Sequence, residues 1–88
     1  GNWDSLYEYL ATHDENDNSI SLKNKCLIQE CKRNIIYSDK PNKLFAMRGI
    51  EDCIIIDTKD VLMICPRDVD KLKEFLSSLA MPEFEAFR

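Results

Sequence analysis

The chain predicts a mainly β domain with flanking helices, its strands wound into a short parallel coil. Five apolar segments follow one another closely: Cys26-Leu27-Ile28, Asn34-Ile35-Ile36-Tyr37, Leu44-Phe45-Ala46-Met47, Cys53-Ile54-Ile55-Ile56 and Val61-Leu62-Met63-Ile64-Cys65. Their separators carry turn chemistry, as in Ser38-Asp39-Lys40-Pro41-Asn42 and Arg48-Gly49-Ile50-Glu51-Asp52. A shift of eighteen residues superimposes them: Leu27 falls on Phe45 and Met63, Ile28 on Ala46 and Ile64, and Ile36 on Ile54. Such a period suits a coil in which each turn stacks on the last and buries a continuous column. A plain antiparallel meander is the rival arrangement.

The elements follow in order. Trp3, Leu6, Tyr7 and Leu10 recur at helical spacing, so the first segment is an amphipathic helix whose stripe packs against something. Asp4 or Ser5 suits its start. His13-Asp14-Glu15-Asn16-Asp17-Asn18 reads as an exposed loop. It is no calcium loop, because Ser19 and Lys25 stand where the glycine and the bidentate acid belong. The runs Cys53–Ile56 and Val61–Cys65 do not alternate apolar with polar, so both faces of each strand should be covered. The acidic turn Asp57–Val61 between them is too short for a crossover helix. That leaves a tight hairpin or successive faces of a coil.

Pro66 ends the last strand, and Asp68 caps a closing helix that begins near Val69. Val69, Leu72, Phe75 or Leu76, and Leu79 form its apolar face, which covers an open end of the coil or packs on the first helix. Beyond Pro82 the helix cannot continue. Phe84 and Phe87 in the tail then dock back on the domain, bury against a partner or stay frayed.

Composition narrows the function. Eighty-eight residues make one small domain with a modest core. A formal charge of −4 with scattered Lys and Arg speaks against nucleic acid, whose phosphates call for clustered cations. No apolar run reaches membrane-spanning length and no signal-peptide pattern opens the chain. Gly1 rather than Met leads straight into the helix pattern, so the chain reads as a piece of a longer protein. The four cysteines lack the close pairing of a zinc site. Cys26, Cys53 and Cys65 read as reduced core thiols of a cytoplasmic protein, with a single disulfide as the alternative.

Catalytic chemistry is not visible. His13, the only histidine, lies in the loop after the first helix and reads as a helix C-terminal residue rather than a general base. With glycine only at Gly1 and Gly49 there is no Gly-rich phosphate loop. Asp52, Asp57 and Asp60 could meet on one edge, but acids that bracket strands more often satisfy turn amides. Their expected role is structural.

Specific segments resemble a known family. Gly1-Asn2-Trp3-Asp4-Ser5-Leu6 is similar to the Gly-x-Trp-x-Ser-(Leu or Ala) junction of mannose-1-phosphate guanylyltransferases, with Asn2 where Thr is common. Asn34–Ser38, Lys43–Ala46, Gly49-Ile50-Glu51-Asp52 and Ile55–Pro66 resemble that family's C-terminal domain, where a Gly-Leu-Glu-Asp turn precedes a Val-Val-Asp-Thr-x-Asp-Ala-Leu-Leu ending. The likeness runs over most of Gly1 to Leu79; the aromatic tail has no counterpart in it.

The resemblance implies a left-handed β-helix-like domain packed against a catalytic domain and contributing to a homodimer. It divides the chain into a junction helix (1–13), a coil domain with its closing helix (14–80) and a tail (81–88). It implies a parent enzyme that moves a guanylyl group from GTP to mannose 1-phosphate with magnesium, releasing GDP-mannose and pyrophosphate. The catalytic residues would precede Gly1, leaving only Gly1, Asn2 and Trp3 at the edge of the sugar pocket and no metal ligand in the chain. Equivalent domains of other sugar-phosphate nucleotidylyltransferases, or an independent interaction module, are the alternatives.

Overall fold

The computed structural model describes residues 18–87. The expected first helix, the loop through Asp17 and His13 lie outside the described residues. Six strands come first: β1 (Ser19–Ser21), β2 (Cys26–Gln29), β3 (Ile35–Ser38), β4 (Phe45–Arg48), β5 (Cys53–Asp57) and β6 (Leu62–Pro66). Helix α1 (Val69–Leu79) and a 3-10 turn (Pro82–Phe87) follow. The five strands read from the sequence all appear; β1 is the one its short Ser-Ile-Ser segment concealed.

The strands wind as a coil over β1 to β5. One sheet has the order β1-β3-β5-β6 and the other pairs β2 with β4. All pairings except β5 with β6 are parallel. The repeat is nineteen residues, not eighteen: Cys26 pairs with Phe45, and Ile35 with Ile54. Thus Leu27 lies on Ala46 and Ile36 on Ile55, each one residue away from the expected partner. Strand alternation makes that slip consequential, because one residue exchanges the inner and outer faces.

The backbone carries the same period at its corners. Glu30 (φ 54°) and Gly49 (φ 68°) are left-handed at equivalent positions, as are Arg33 (φ 57°) and Asp52 (φ 55°). Each coil therefore turns at two fixed points, and only one of these four positions has the residue best suited to it.

The third coil is not completed. Four residues, 58–61, join β5 to β6, and here the chain folds back antiparallel along β5 instead of passing to the next face of the coil. Ile55 accordingly pairs with Ile64 and Ile56 with Met63, so Met63 does not extend the column of Leu27 and Phe45. Thr58 closes the hairpin through its backbone N–H and its hydroxyl, both donating to the Val61 carbonyl at 2.9 and 3.2 Å.

Two apolar layers result. On the outer face of the larger sheet, Ile54, Met63 and Cys65 form a core with Leu72 of α1, joined by Ile35, Ile56, Leu76 and Leu79. Helix α1 starts where the sequence placed it, with Asp68 as cap accepting from the Lys71 N–H at 3.0 Å. It covers the flank of the coil rather than its end, because its apolar stripe meets the alternate residues of β5 and β6. Phe75 stays exposed while Leu76 packs. The inner face carries Asn34, Ile36 and Ser38 of β3 and its approach, and Cys53, Ile55 and Asp57 of β5, turned toward half-buried Phe45 and Met47 of β4.

Two burial expectations fail. Leu62 and Ile64 are 62% and 58% exposed, because β6 extends past the two-stranded sheet that covers its neighbours. Cys26 is exposed because it lies in the first coil, although Cys65 is buried and Cys53 half-buried. Phe84 and Phe87 of the tail remain exposed.

Candidate functional site

Three polar clusters are the candidates, and each is built by stacking residues of successive coils. The first is an asparagine ladder at the corner before β1, β3 and β5. Asn18 Nδ2 donates to the Cys31 carbonyl at 3.0 Å, and its Oδ1 accepts Asn34 Nδ2 at 2.8 Å and the Asn34 N–H at 3.2 Å. Asn34 Nδ2 also donates to the Ile50 carbonyl, and Asn34 Oδ1 accepts the Cys53 N–H at 2.9 Å. Asn34 is fully buried with its donors and acceptor used, which is the condition for a polar group inside a coil to be tolerated. Asn18 is thus a structural tie and not part of a solvated loop.

The second cluster orders the Glu51-Asp52 turn. Arg33, one coil earlier, grips Asp52 with Nε to Oδ1 at 2.7 Å and a second nitrogen to Oδ2 at 3.1 Å, and lies 3.6 Å from Glu51. Arg67, just beyond β6, donates to the Arg33 carbonyl at 3.3 Å, and its N–H to the Asp52 carbonyl at 2.7 Å. The hydrogen bond from Arg33, with weaker charge contributions from Arg33 and Arg67, holds the Asp52 carboxyl below its ordinary pKa.

The third cluster borders a shallow depression of about 520 Å³ lined by the 40–43 and 57–62 loops. At its floor Asp57, buried, accepts from Lys43 Nζ at 2.9 Å and from Ser38 Oγ at 3.1 Å. The bond from Lys43 is the main reason that Asp57 ionises more readily than a free aspartate; Ser38 adds to it and burial opposes it. Lys40, Lys59 and Asp60 stand around the rim. Asp60 is exposed.

This arrangement holds a fold together and leaves little for catalysis. Asp52 and Asp57 sit at opposite ends of β5 and do not meet; each is committed to its own cation. Among the described residues no three His, Cys, Asp or Glu side chains are grouped to bind a metal. Burial pushes the Cys65 and Cys53 thiols up, with the Asp52 charge adding at Cys53, and a thiol so placed is a poor nucleophile. The expected pocket-edge residues Gly1, Asn2 and Trp3 lie outside the described residues.

The sequence reading missed the ladder, Asn24, Ser38 and Arg33. A signal for Arg33 existed: Arg33 and Asp52 have opposite charge at the spacing of the coil, nineteen residues.

Comparison with known proteins follows the same outline. The profile of the MannoseP isomerase/GMP-like beta-helix domain matches residues 24–79. The chain belongs to this β-helix domain family. The match opens at Asn24 and closes at the last residue of α1, so the covering helix belongs to the β-helix domain, while the aromatic tail lies beyond the match. The alginate biosynthesis protein AlgA of Pseudomonas putida is 30% identical over 80 residues, covering 90% of this chain and 16% of its own length. Mannose-1-phosphate guanylyltransferase 2 of Escherichia coli O157:H7 is 31% identical, with 94% and 16% covered. The mannose-1-phosphate guanylyltransferase of Klebsiella pneumoniae is 32% identical, with 100% and 18% covered.

The chain therefore spans less than a fifth of the curated relatives it matches. In fold it resembles a crystal structure titled mannose-1-phosphate geranyltransferase from Thermus thermophilus, at a TM-score of 0.63 and 16% identity over 90% of this chain and 23% of that one. Kinship to guanylyltransferases and a β-helix fold, both expected from the sequence, are thus established for this domain.

Proposed function

We propose that this β-helix domain is the C-terminal scaffold of an enzyme that transfers a guanylyl group from GTP to mannose 1-phosphate, giving GDP-mannose and pyrophosphate. One observation carries the reading: nearly the whole chain aligns with less than a fifth of proteins that bear the guanylyltransferase name. The clusters described above support the scaffold role, because their charged groups are consumed in tying one coil to the next.

The parent's chemistry calls for a cationic clamp on phosphates and a magnesium ion held by free carboxylates. The described residues do not fit that ion, since Asp52 is bound to Arg33 and Asp57 to Lys43 and Ser38. On this reading magnesium, GTP and mannose 1-phosphate belong to a catalytic domain outside the chain, with Gly1, Asn2 and Trp3 at the pocket's edge. The four free thiols support a reducing, cytoplasmic setting for the parent, and among the described residues no helix is long and apolar enough to cross a membrane. The exposed Leu62 and Ile64 suit contacts in a homodimer.

The test is pyrophosphate release by the 88-residue chain given GTP, mannose 1-phosphate and magnesium. The scaffold reading expects release at the background rate. Turnover above background would overturn the assignment of the chemistry to another domain.

A further inference from the structure

The depression beside β5 and β6 carries chemistry that holding the coil together does not use. Lys40, Lys43 and Lys59 line it against Asp57 and Asp60, a surplus of one positive charge in a chain whose formal charge is −4. Lys43 is tied to Asp57, but Lys40 and Lys59 have no acid partner among the described residues. Two ammonium groups on one rim favour an oxyanion.

The floor offers the opposite polarity. Asp57 is 5% exposed, and both of its donors, Lys43 Nζ and Ser38 Oγ, reach the same oxygen, Oδ2. Oδ1 takes no hydrogen bond from any described residue, yet it is not sealed in the interior. Asp57 lines the depression, so Oδ1 is left to accept from a ligand hydroxyl, with its charge already balanced by Lys43.

The walls are fixed from within the fold. Buried Asn24 donates through Nδ2 to the carbonyls of Lys40 and Lys43, and the Lys40 N–H donates to Ser38 Oγ at 3.1 Å. Thr58 closes the facing hairpin on Val61. Loops held in this way have little freedom left to lose when a ligand binds. A volume of about 520 Å³ lies in the range of small-molecule sites, and a shallow form lined by charged groups suits a hydrophilic ligand.

We propose that this depression binds a sugar phosphate, its phosphoryl group between Lys40 and Lys59 and one of its hydroxyls donating to Asp57 Oδ1. The site binds and performs no reaction. It lies wholly within the β-helix domain, and the proposal stands whether or not the parent enzyme is a guanylyltransferase.

The test is backbone-amide NMR of the full 88-residue chain, titrated with mannose 1-phosphate and, separately, with methyl phosphate and mannose. Mannose 1-phosphate should give saturable shifts centred on residues 40–43 and 57–62. Methyl phosphate keeps the anion without the hydroxyls and should bind the same residues about tenfold more weakly. Mannose at equal concentration should leave them unmoved. Lys40→Gln with Lys59→Gln should weaken mannose 1-phosphate severalfold. Lys23→Gln with Lys32→Gln, at exposed lysines outside the depression, should not. The spectrum itself reports that each variant is folded. Shifts spread evenly over the chain's lysines, equal binding of methyl phosphate and mannose 1-phosphate, or equal losses in the two double variants would each overturn the proposal. So would the absence of saturable shifts at 40–43 and 57–62, a result that leaves the pyrophosphate-release test of the enzymatic role untouched.

Discussion

At Gly49 the backbone takes φ 68°, and a Cβ added there would meet nothing within 4 Å. The cost of a side chain is therefore conformational alone. Gly49→Ala should lower stability by about 1 kcal/mol. Glu30, at the equivalent corner one coil earlier, already bears that strain, and its pairing with Arg48 is exposed and contributes little. Glu30→Gly should therefore leave the urea midpoint unchanged or raised, and a fall as large as that of Gly49→Ala would refute the corner equivalence.

Asp57 gives the pH dependence at the same scale. Its folded pKa is depressed, chiefly by Lys43, so the native state favours the carboxylate. The stabilisation is fully present above the unfolded carboxylate value, about 3.9, and is lost as pH falls through the lower folded value. Asp57→Asn should reduce stability near neutrality and flatten its decline below pH 4 (about the unfolded carboxylate value), measured as urea midpoints along a pH series. A variant as acid-sensitive as the parent chain would show that Asp57 is not the group responsible.

Elements differ in how far they could be read from the sequence. Helix α1 is legible in its cap, its start at Val69 and the shared face of Leu72 and Leu79, which are local chemistry, but not in the choice between Phe75 and Leu76 or in the surface it covers. The strands were legible because apolar runs bounded by turn residues leave few alternatives. The partner of β6 was not. Val61–Cys65 and Cys53–Ile56 look alike in composition, yet β5 is covered on both faces while β6 is covered only by α1. What distinguishes them is whether the smaller sheet extends far enough to cover each strand, which no local pattern encodes.

The packing of α1 has a direct test. Leu72→Ala removes a fully buried side chain from the core of Ile54, Met63 and Cys65 and should cost about 3 kcal/mol. Phe75→Ala, three residues on but exposed, should change stability by less than about 1 kcal/mol. Similar losses at both positions would mean that the helix is rotated from the face described here.

Across the whole molecule, the period decides what is buried. Eighteen and nineteen residues both align apolar segments with apolar segments, because each run is longer than the one-residue difference. The strand register resolves the two, and the left-handed corners agree with it, through Glu30 with Gly49 and Arg33 with Asp52. Of the candidate site, the structural role of Asp52 and Asp57 as acids that bracket a strand is legible in the sequence, but the asparagine ladder stays hidden. Asn18 and Asn34 are sixteen residues apart, off the main period, because the first coil is shorter than the second.

An inner column open toward β6 also makes a prediction at this scale. Ile36→Ala should cost about 3 kcal/mol. Ile64→Ser, on the same inward register, should cost less than about 1 kcal/mol in the isolated chain. Equal costs would show that the β6 end is closed.

On the proposed reading, a domain that supports a guanylyltransferase without supplying its chemistry should be exchangeable between relatives. The decisive measurement is GDP-mannose synthesis by the Klebsiella pneumoniae enzyme with its matching segment replaced by Gly1–Arg88, alongside the same enzyme with the segment deleted. Retained synthesis in the exchange and loss in the deletion is the predicted result. A soluble, folded exchange that makes no GDP-mannose, or a deletion as active as the intact enzyme, would contradict it.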